Sequence, residues 1–92
     1  MSYSIKYTNT FKKDLVRCEK RGYDMDFAKK TIKLLAENGK LPESYQQHKL
    51  TGNYKGCWEC HLKPDWLLIW RQDDENLILL FTNIGTHSDL FG

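Results

Sequence analysis

No stretch of this 92-residue sequence approaches the roughly 20 consecutive apolar residues that a membrane-spanning helix needs. LILLF at 77–81 has the length of a buried strand. The opening MSYSIKYTNTF lacks the long apolar core of a secretory signal. These absences predict a soluble cytoplasmic protein with no membrane partner. Cysteine occurs only three times, an odd number, which reads as reduced thiols rather than a disulfide framework. Proline occurs only twice, at 42 and 64, and each marks a break between periodic segments. There is no repeat, linker or low-complexity segment, so residues 1–92 read as one small domain with a modest core.

Net charge is only +2, but its distribution is uneven. Residues 1–63 carry 13 Lys/Arg against 7 Asp/Glu, a balance of +6; residues 64–92 carry 1 against 5, a balance of −4. A basic front two-thirds suits an anionic partner, nucleic acid included, or simply solvated helix faces.

SIKY at 4–7 alternates like a short strand. From Phe11 the spacing is helical: Phe11, Leu15 and Cys18 share a face, while Lys12, Lys13, Arg17, Lys20 and Arg21 point elsewhere. Thr8, Asn9 or Thr10 can cap the start and Gly22 the end. Asp24 can cap a second helix whose inward stripe includes Phe27, Ala28, Thr31, Ile32 and Leu35, with Asn38-Gly39 as its stop. Residues 40–55 have no clean period and read as an irregular connection carrying His48. Strand-like runs follow at about 56–62, 66–71 and 77–83, separated by Pro64-Asp65 and by the turn Asp73-Asp74-Glu75-Asn76. The predicted order β-α-α-β-β-β is an α+β fold, with the helix pair covering one face of a small, mainly antiparallel sheet.

Residues 57–61, CWECH, match a haem-attachment, redox or half-zinc pattern. Strand alternation argues against all three. Cys57, Glu59 and His61 face one way and Trp58, Cys60 and Leu62 the other, so the two sulfurs diverge. Cys60 reads as a small core residue and Cys57 as a more exposed thiol. No metal site and no cofactor are expected. His61 shares its face with Glu59 and Lys63, and Asp65 follows at the turn. Trp66, next to that polar group, reads as a stacking platform; Trp70 reads as cover for the sheet.

Of the three histidines, His48 lies in the irregular connection, His61 ends a predicted strand and His87 follows another. HKLTGNYKG at 48–56, HLKPDWLLIW at 61–70 and GTHSDLFG at 85–92 together resemble the YafQ branch of the RelE/ParE toxin superfamily, and the likeness spans nearly the whole chain. That resemblance implies a RelE-like fold with a concave sheet face. It also implies an endoribonuclease, an mRNA interferase that cuts mRNA in the ribosomal A site without a metal. A cognate antitoxin would wrap the toxin, and operator DNA would be met only through the antitoxin complex. His48, His61, Asp65 and His87 match the family's acid–base set, and Trp66 and Phe91 its aromatic positions.

Those residue types fit RNA cleavage by the adjacent 2′-hydroxyl. One group takes its proton, another protonates the leaving 5′-oxygen, and donors steady the phosphorane. The expected division is His87 as acid, Asp65 or His48 as base, and His61 gripping phosphate. The family pattern has an Arg four residues before its last histidine; here Asn83 stands there, offering neutral donors in place of a guanidinium. Transition-state stabilisation would then be weaker, or come from a lysine such as Lys49, Lys55 or Lys63. The basic helix faces would meet ribosomal RNA phosphates. Asn83 also motivates an alternative: a weakened toxin that acts by binding its antitoxin and tuning transcription.

Overall fold

A computed structural model describes residues 2–92. The chain runs β1 (Ser4–Tyr7), α1 (Asn9–Lys20), α2 (Met25–Asn38), β2 (His48–Lys49), β3 (Trp58–Lys63), β4 (Trp66–Asp73), β5 (Ile78–Gly85) and α3 (His87–Phe91). Single 3₁₀ turns at Glu43–Tyr45 and Gly52–Tyr54 flank β2. The sheet order is β1-β5-β4-β3-β2. Only the β1–β5 pair is parallel; the other three pairs are antiparallel. The expected α+β architecture is present. Two short elements join it: β2 inside the connection read as irregular, and α3 at the C-terminus.

Local chemistry sets the helix limits. The Thr8 hydroxyl accepts the Phe11 N–H at 3.0 Å, and the Asp24 carboxylate accepts the Phe27 N–H at 3.1 Å; each satisfies a donor that the first helical turn leaves free. Gly39 ends α2 with φ 73°, in the left-handed region that glycine enters without strain. A side chain there would also strike the Tyr3 ring, 2.9 Å from the Cβ position.

The core lies between the helix pair and one sheet face. Phe11, Cys18 and Leu35 from the helices meet Cys60, Leu68, Trp70, Phe81 and Ile84 from the strands. Phe11 stacks on Tyr7 at 5.3 Å and meets Phe81 at 5.7 Å. Trp70 is fully buried, and its indole N–H donates to Gln72 Oε1 at 3.0 Å. Burial pushes the Cys60 thiol well above the ordinary thiol range, as expected of an inert core sulfur. Cys57 differs from expectation: it is buried, not exposed. The 40–55 connection folds back over it, with Leu50 N–H donating to Cys57 O and Cys57 N–H to Tyr54 O, both at 2.9 Å.

Candidate active site

The face of the sheet away from the helix pair carries the polar residues. Register places His48 opposite Glu59, Glu59 opposite Ile69 and Ile69 opposite Asn83, one row across four strands. The next row runs from His61 to Leu67 and on to Gly85. Leu67 and Ile69 are fully buried and form an apolar floor beneath these polar side chains.

Three imidazoles stand in line above it. The ring centres of His48 and His61 are 6.2 Å apart, and those of His61 and His87 are 6.1 Å apart. Residues separated by 39 positions thus stand side by side on one sheet face. The two ends of the line are held by different carboxylates. At one end, Asp65 Oδ1 accepts both the His87 backbone N–H at 2.9 Å and His87 Nδ1 at 2.5 Å. The backbone bond and then the ring bond hold the Asp65 carboxyl below its ordinary range. At the other end, His48 Nε2 lies 3.1 Å from Glu59 Oε1, and His61 Nε2 lies 4.0 Å from the same oxygen. Glu59 is only 4% exposed, and its second oxygen has no hydrogen-bond partner.

The C-terminal turn is fixed from behind. Thr86 caps α3 in a reciprocal arrangement with Asp89. Arg21, the residue that caps the end of α1, forks onto the Asp89 carboxylate at 2.6 and 3.2 Å, and that pairing holds the Asp89 carboxyl far below its ordinary range. Buried Asp14 accepts the Ile84 N–H at 3.1 Å. Gly85 lets α3 approach this closely, since a Cβ there would sit 2.9 Å from Asp89. His87 is therefore placed by contacts that begin in α1.

Of the expected substrate-binding residues, Phe91 is exposed beside the line, 6.3 Å from His87 and edge-on to Tyr54 at 5.3 Å. Asn83 ends the Glu59 row and is half-buried. Lys55 is exposed after the second 3₁₀ turn. Three expectations need correction. Trp66 is 3% exposed, sits in the helix-side core, meets Tyr23 at 5.1 Å and donates to Cys18 Sγ; it offers no open ring face to a base. Lys49 is drawn over the Trp58 ring at 5.4 Å; Lys63 lies over Phe27 of α2 at 4.5 Å and also lines the hollow that contains His61. Asp65, being committed to His87, is also poorly suited to be the base.

Sequence reasoning missed Glu59 and Asp89 as parts of this site. Glu59 left a signal, a carboxylate two residues before His61 on the same strand face. Asp89 left a capping pattern, Thr86 followed three residues later by an acidic residue. Two hollows flank the turn after β3. One, about 370 Å³, is lined by Tyr23, Asp24, Lys63 and Asp65. The other, about 400 Å³, is lined by Ser44, Gln46, His61 and Pro64.

Residues 3–92 match the family described as the bacterial toxin of type II toxin–antitoxin system, YafQ. The chain is 39% identical over 89 residues to the mRNA interferase toxin YafQ of Escherichia coli K12, covering 96% of this chain and 95% of that protein. The crystal structure of YafQ from E. coli BL21(DE3) superimposes with a TM-score of 0.90 at 37% identity, covering 98% and 99% of the two chains. A second, the E. coli DinJ–YafQ toxin–antitoxin complex, gives 0.89 at 38% identity over the full length of both.

Proposed function

This chain belongs to the YafQ family of bacterial toxins of type II toxin–antitoxin systems, and from that premise we propose that it is an mRNA interferase that cleaves ribosome-bound mRNA by proton transfer, without a metal. The 2′-hydroxyl attacks the adjacent phosphorus as its proton leaves. The bond to the 5′-oxygen breaks as that oxygen is protonated. The products are a 2′,3′-cyclic phosphate and a 5′-hydroxyl.

The observation that carries this reading is the His87–Asp65 pair. Asp65 accepts hydrogen bonds from Nδ1–H and from the backbone N–H of the same residue, so the ring is oriented by two contacts. Nε2 is then left to face the substrate, and the ionised carboxylate steadies the imidazolium. That is the arrangement of a general acid, worth roughly 10²–10⁴-fold in rate. Asp65 is accordingly an orienting residue, and the base comes from the His48–His61 pair. Phe91, exposed beside His87, supplies a ring on which a nucleotide base can stack.

The relatives' complex with DinJ supports a protein antitoxin as this chain's partner, with operator DNA contacted only through that complex. Solvated Lys12, Lys13, Lys29, Lys30 and Lys33 on the helices are available to ribosomal RNA phosphates. No described helix is long and apolar enough to cross a membrane, which fits action in the cytoplasm, where ribosomes are. Asn83 favours one second reading, a toxin fold retained for antitoxin binding and transcriptional control. Expression without an antitoxin separates the two. Growth arrest with cut transcripts, abolished by His87→Ala in a folded protein, is the expected result. Normal growth with intact mRNA would favour the binding role.

A further inference from the structure

Of the three arginines, two are already paired. Arg17 lies 3.1 Å from Asp14 and Arg21 lies 2.6 Å from Asp89. Arg71 is exposed, and none of the ion pairs among the described residues includes it. Side chains alternate along β4, so Arg71 shares a face with Leu67 and Ile69, the floor beneath the imidazoles. Leu68 and Trp70 take the other face, in the helix-side core. Leu80 lies opposite Arg71 on β5, and Lys6 lies opposite Leu80 on β1. A third row thus follows the two described above, with exposed Arg71 and Lys6 on either side of half-buried Leu80.

We propose that Arg71, supported by Lys6, binds an mRNA backbone phosphate that flanks the scissile one and so holds the strand across the sheet. This rests on the nuclease reading above. Along β4, Arg71 stands beyond Ile69 and Leu67, so its row lies roughly 7 Å past the Glu59–Asn83 row and roughly 13 Å past the His61–Gly85 row. The side chain also leans away from His61, towards the start of β3. A Cβ on Gly56 would sit 3.3 Å from Arg71 Nη1, and Gly56 has φ 90°, a conformation that glycine enters without strain. The backbone there leaves room for the guanidinium that a side chain would crowd. The scissile phosphate, held near His61 and His87, is out of its reach, and a neighbouring phosphate is not.

The chemistry suits an anion with paired oxygens. A guanidinium keeps its charge and presents a planar fork of donors that matches a phosphate, while Lys6 adds a point charge at the other end of the row. The carboxylates on this face are engaged elsewhere. Asp73 accepts the Glu75 N–H at 3.1 Å, the Asn76 N–H at 3.0 Å and the Asn76 side-chain amide at 2.8 Å. Buried Glu59 turns Oε1 to His48, and Asp65 holds His87. Asn83 leaves its own row without a guanidinium, and the next row has one. A ribosomal RNA phosphate offers the same chemistry. The mRNA is favoured because Arg71 stands on the face that carries the imidazoles, whereas the lysines of α1 and α2 belong to the layer on the other side of the sheet.

The test uses ribosomes programmed with synthetic mRNA in which single links beside the cleavage site are made neutral methylphosphonates on 2′-deoxy nucleotides, with the 2′-deoxy phosphodiester as control. For the wild-type chain, one such replacement outside the scissile link should raise KM about tenfold, the scale of one charged hydrogen bond. The value of kcat should hardly change, because the grip is the same before and during reaction. Arg71→Gln should raise KM by a similar factor on the control mRNA and lose nothing more on the neutral link. Arg71→Lys should recover part of the loss. Wild-type KM in Arg71→Gln, or a loss confined to kcat, would overturn the proposal. So would a loss in Arg71→Gln when no neutral link affects the wild type, which would assign the contact to ribosomal RNA. A second arm needs no cleavage. Binding of a short single-stranded RNA to His87→Ala protein, freed from its antitoxin, is measured across a salt series with and without Arg71→Gln. Loss of Arg71 should make the slope of log affinity against log salt shallower by about 0.7, one phosphate contact on a single strand; equal slopes would overturn the proposal. A wild-type chain that cuts no mRNA while this slope difference holds would sink the nuclease reading and leave the phosphate contact standing.

Discussion

The two ends of the imidazole line are built alike in outline and oppositely in environment. His87 is paired with Asp65, whose side chain is 65% exposed, and His48 with Glu59, whose side chain is 6% exposed. An exposed pair is screened by water and adds little stability; its value lies in orienting a ring that must exchange a proton with substrate. A buried carboxylate cannot shed its partner so cheaply, because the charge left behind would be unpaired. The two imidazoles are about equally exposed; what differs is the carboxylate, on a turn in water at one end and in a strand over an apolar floor at the other.

The largest expected effect comes from the open end. His87→Ala should lower cleavage by about 10²–10⁴-fold while leaving the thermal melting curve close to wild type, since the ring is exposed. Equal losses in rate and in melting temperature would remove the distinction between the two ends. Next is Asp65→Asn, which keeps the turn but takes away the anion; a fall of roughly 10- to 100-fold is expected in a single-turnover assay. Wild-type rate in that variant would show that His87 needs no orienting partner.

Titration sharpens the same contrast. The Asp65 carboxyl lies below its ordinary range because of its bonds from His87. A depressed folded value means that the stabilisation is present above the unfolded value and is lost as pH falls through the folded one. Carbon NMR of the Asp65 carboxyl should therefore show titration at unusually low pH in the wild type, and a partial rise in His87→Ala, which loses the ring bond and keeps the backbone N–H. An unchanged midpoint would show that the ring contributes nothing to the shift. Asn83→Arg should raise cleavage by a few-fold, up to about tenfold, by adding a bidentate phosphate donor at the far end of the Glu59 row; no change would mean that the charge is supplied elsewhere. The smallest effect is on folding. Asp89→Asn removes a carboxylate held far below its usual range by Arg21, so the variant should be slightly less stable at neutral pH and lose less as pH falls below about 4. Parallel acid-denaturation curves would show that the α1–α3 clamp contributes nothing.

Much of this was readable from residue order. The caps at Thr8 and Asp24, the glycine stop at 39 and the helical spacing of Phe11, Cys18, Ile32 and Leu35 located both long helices, because those signals act within a few residues. The same is true of β3, β4 and β5. Elements β2 and α3 were not read, since two and five residues carry too little pattern, and their positions depend on partners 11 and 68 residues away, Glu59 and Arg21. Within the candidate site, the family resemblance singled out His48, His61, Asp65 and His87, and the fold sets the three imidazoles side by side with Asp65 on His87. Trp66 was misread because it follows Asp65 in sequence. Its strand face is that of Leu68 and Trp70, and the helices cover that face. Alternation says which residues share a side; only packing says which side is wet.

The most direct test of the account is the chemistry of the cut ends. Purified chain added to a translating system should leave a 2′,3′-cyclic phosphate and a 5′-hydroxyl on the mRNA, and neither should form with His87→Ala. Breaks that carry a 3′-hydroxyl and a 5′-phosphate, or cleavage that continues without His87, would contradict it.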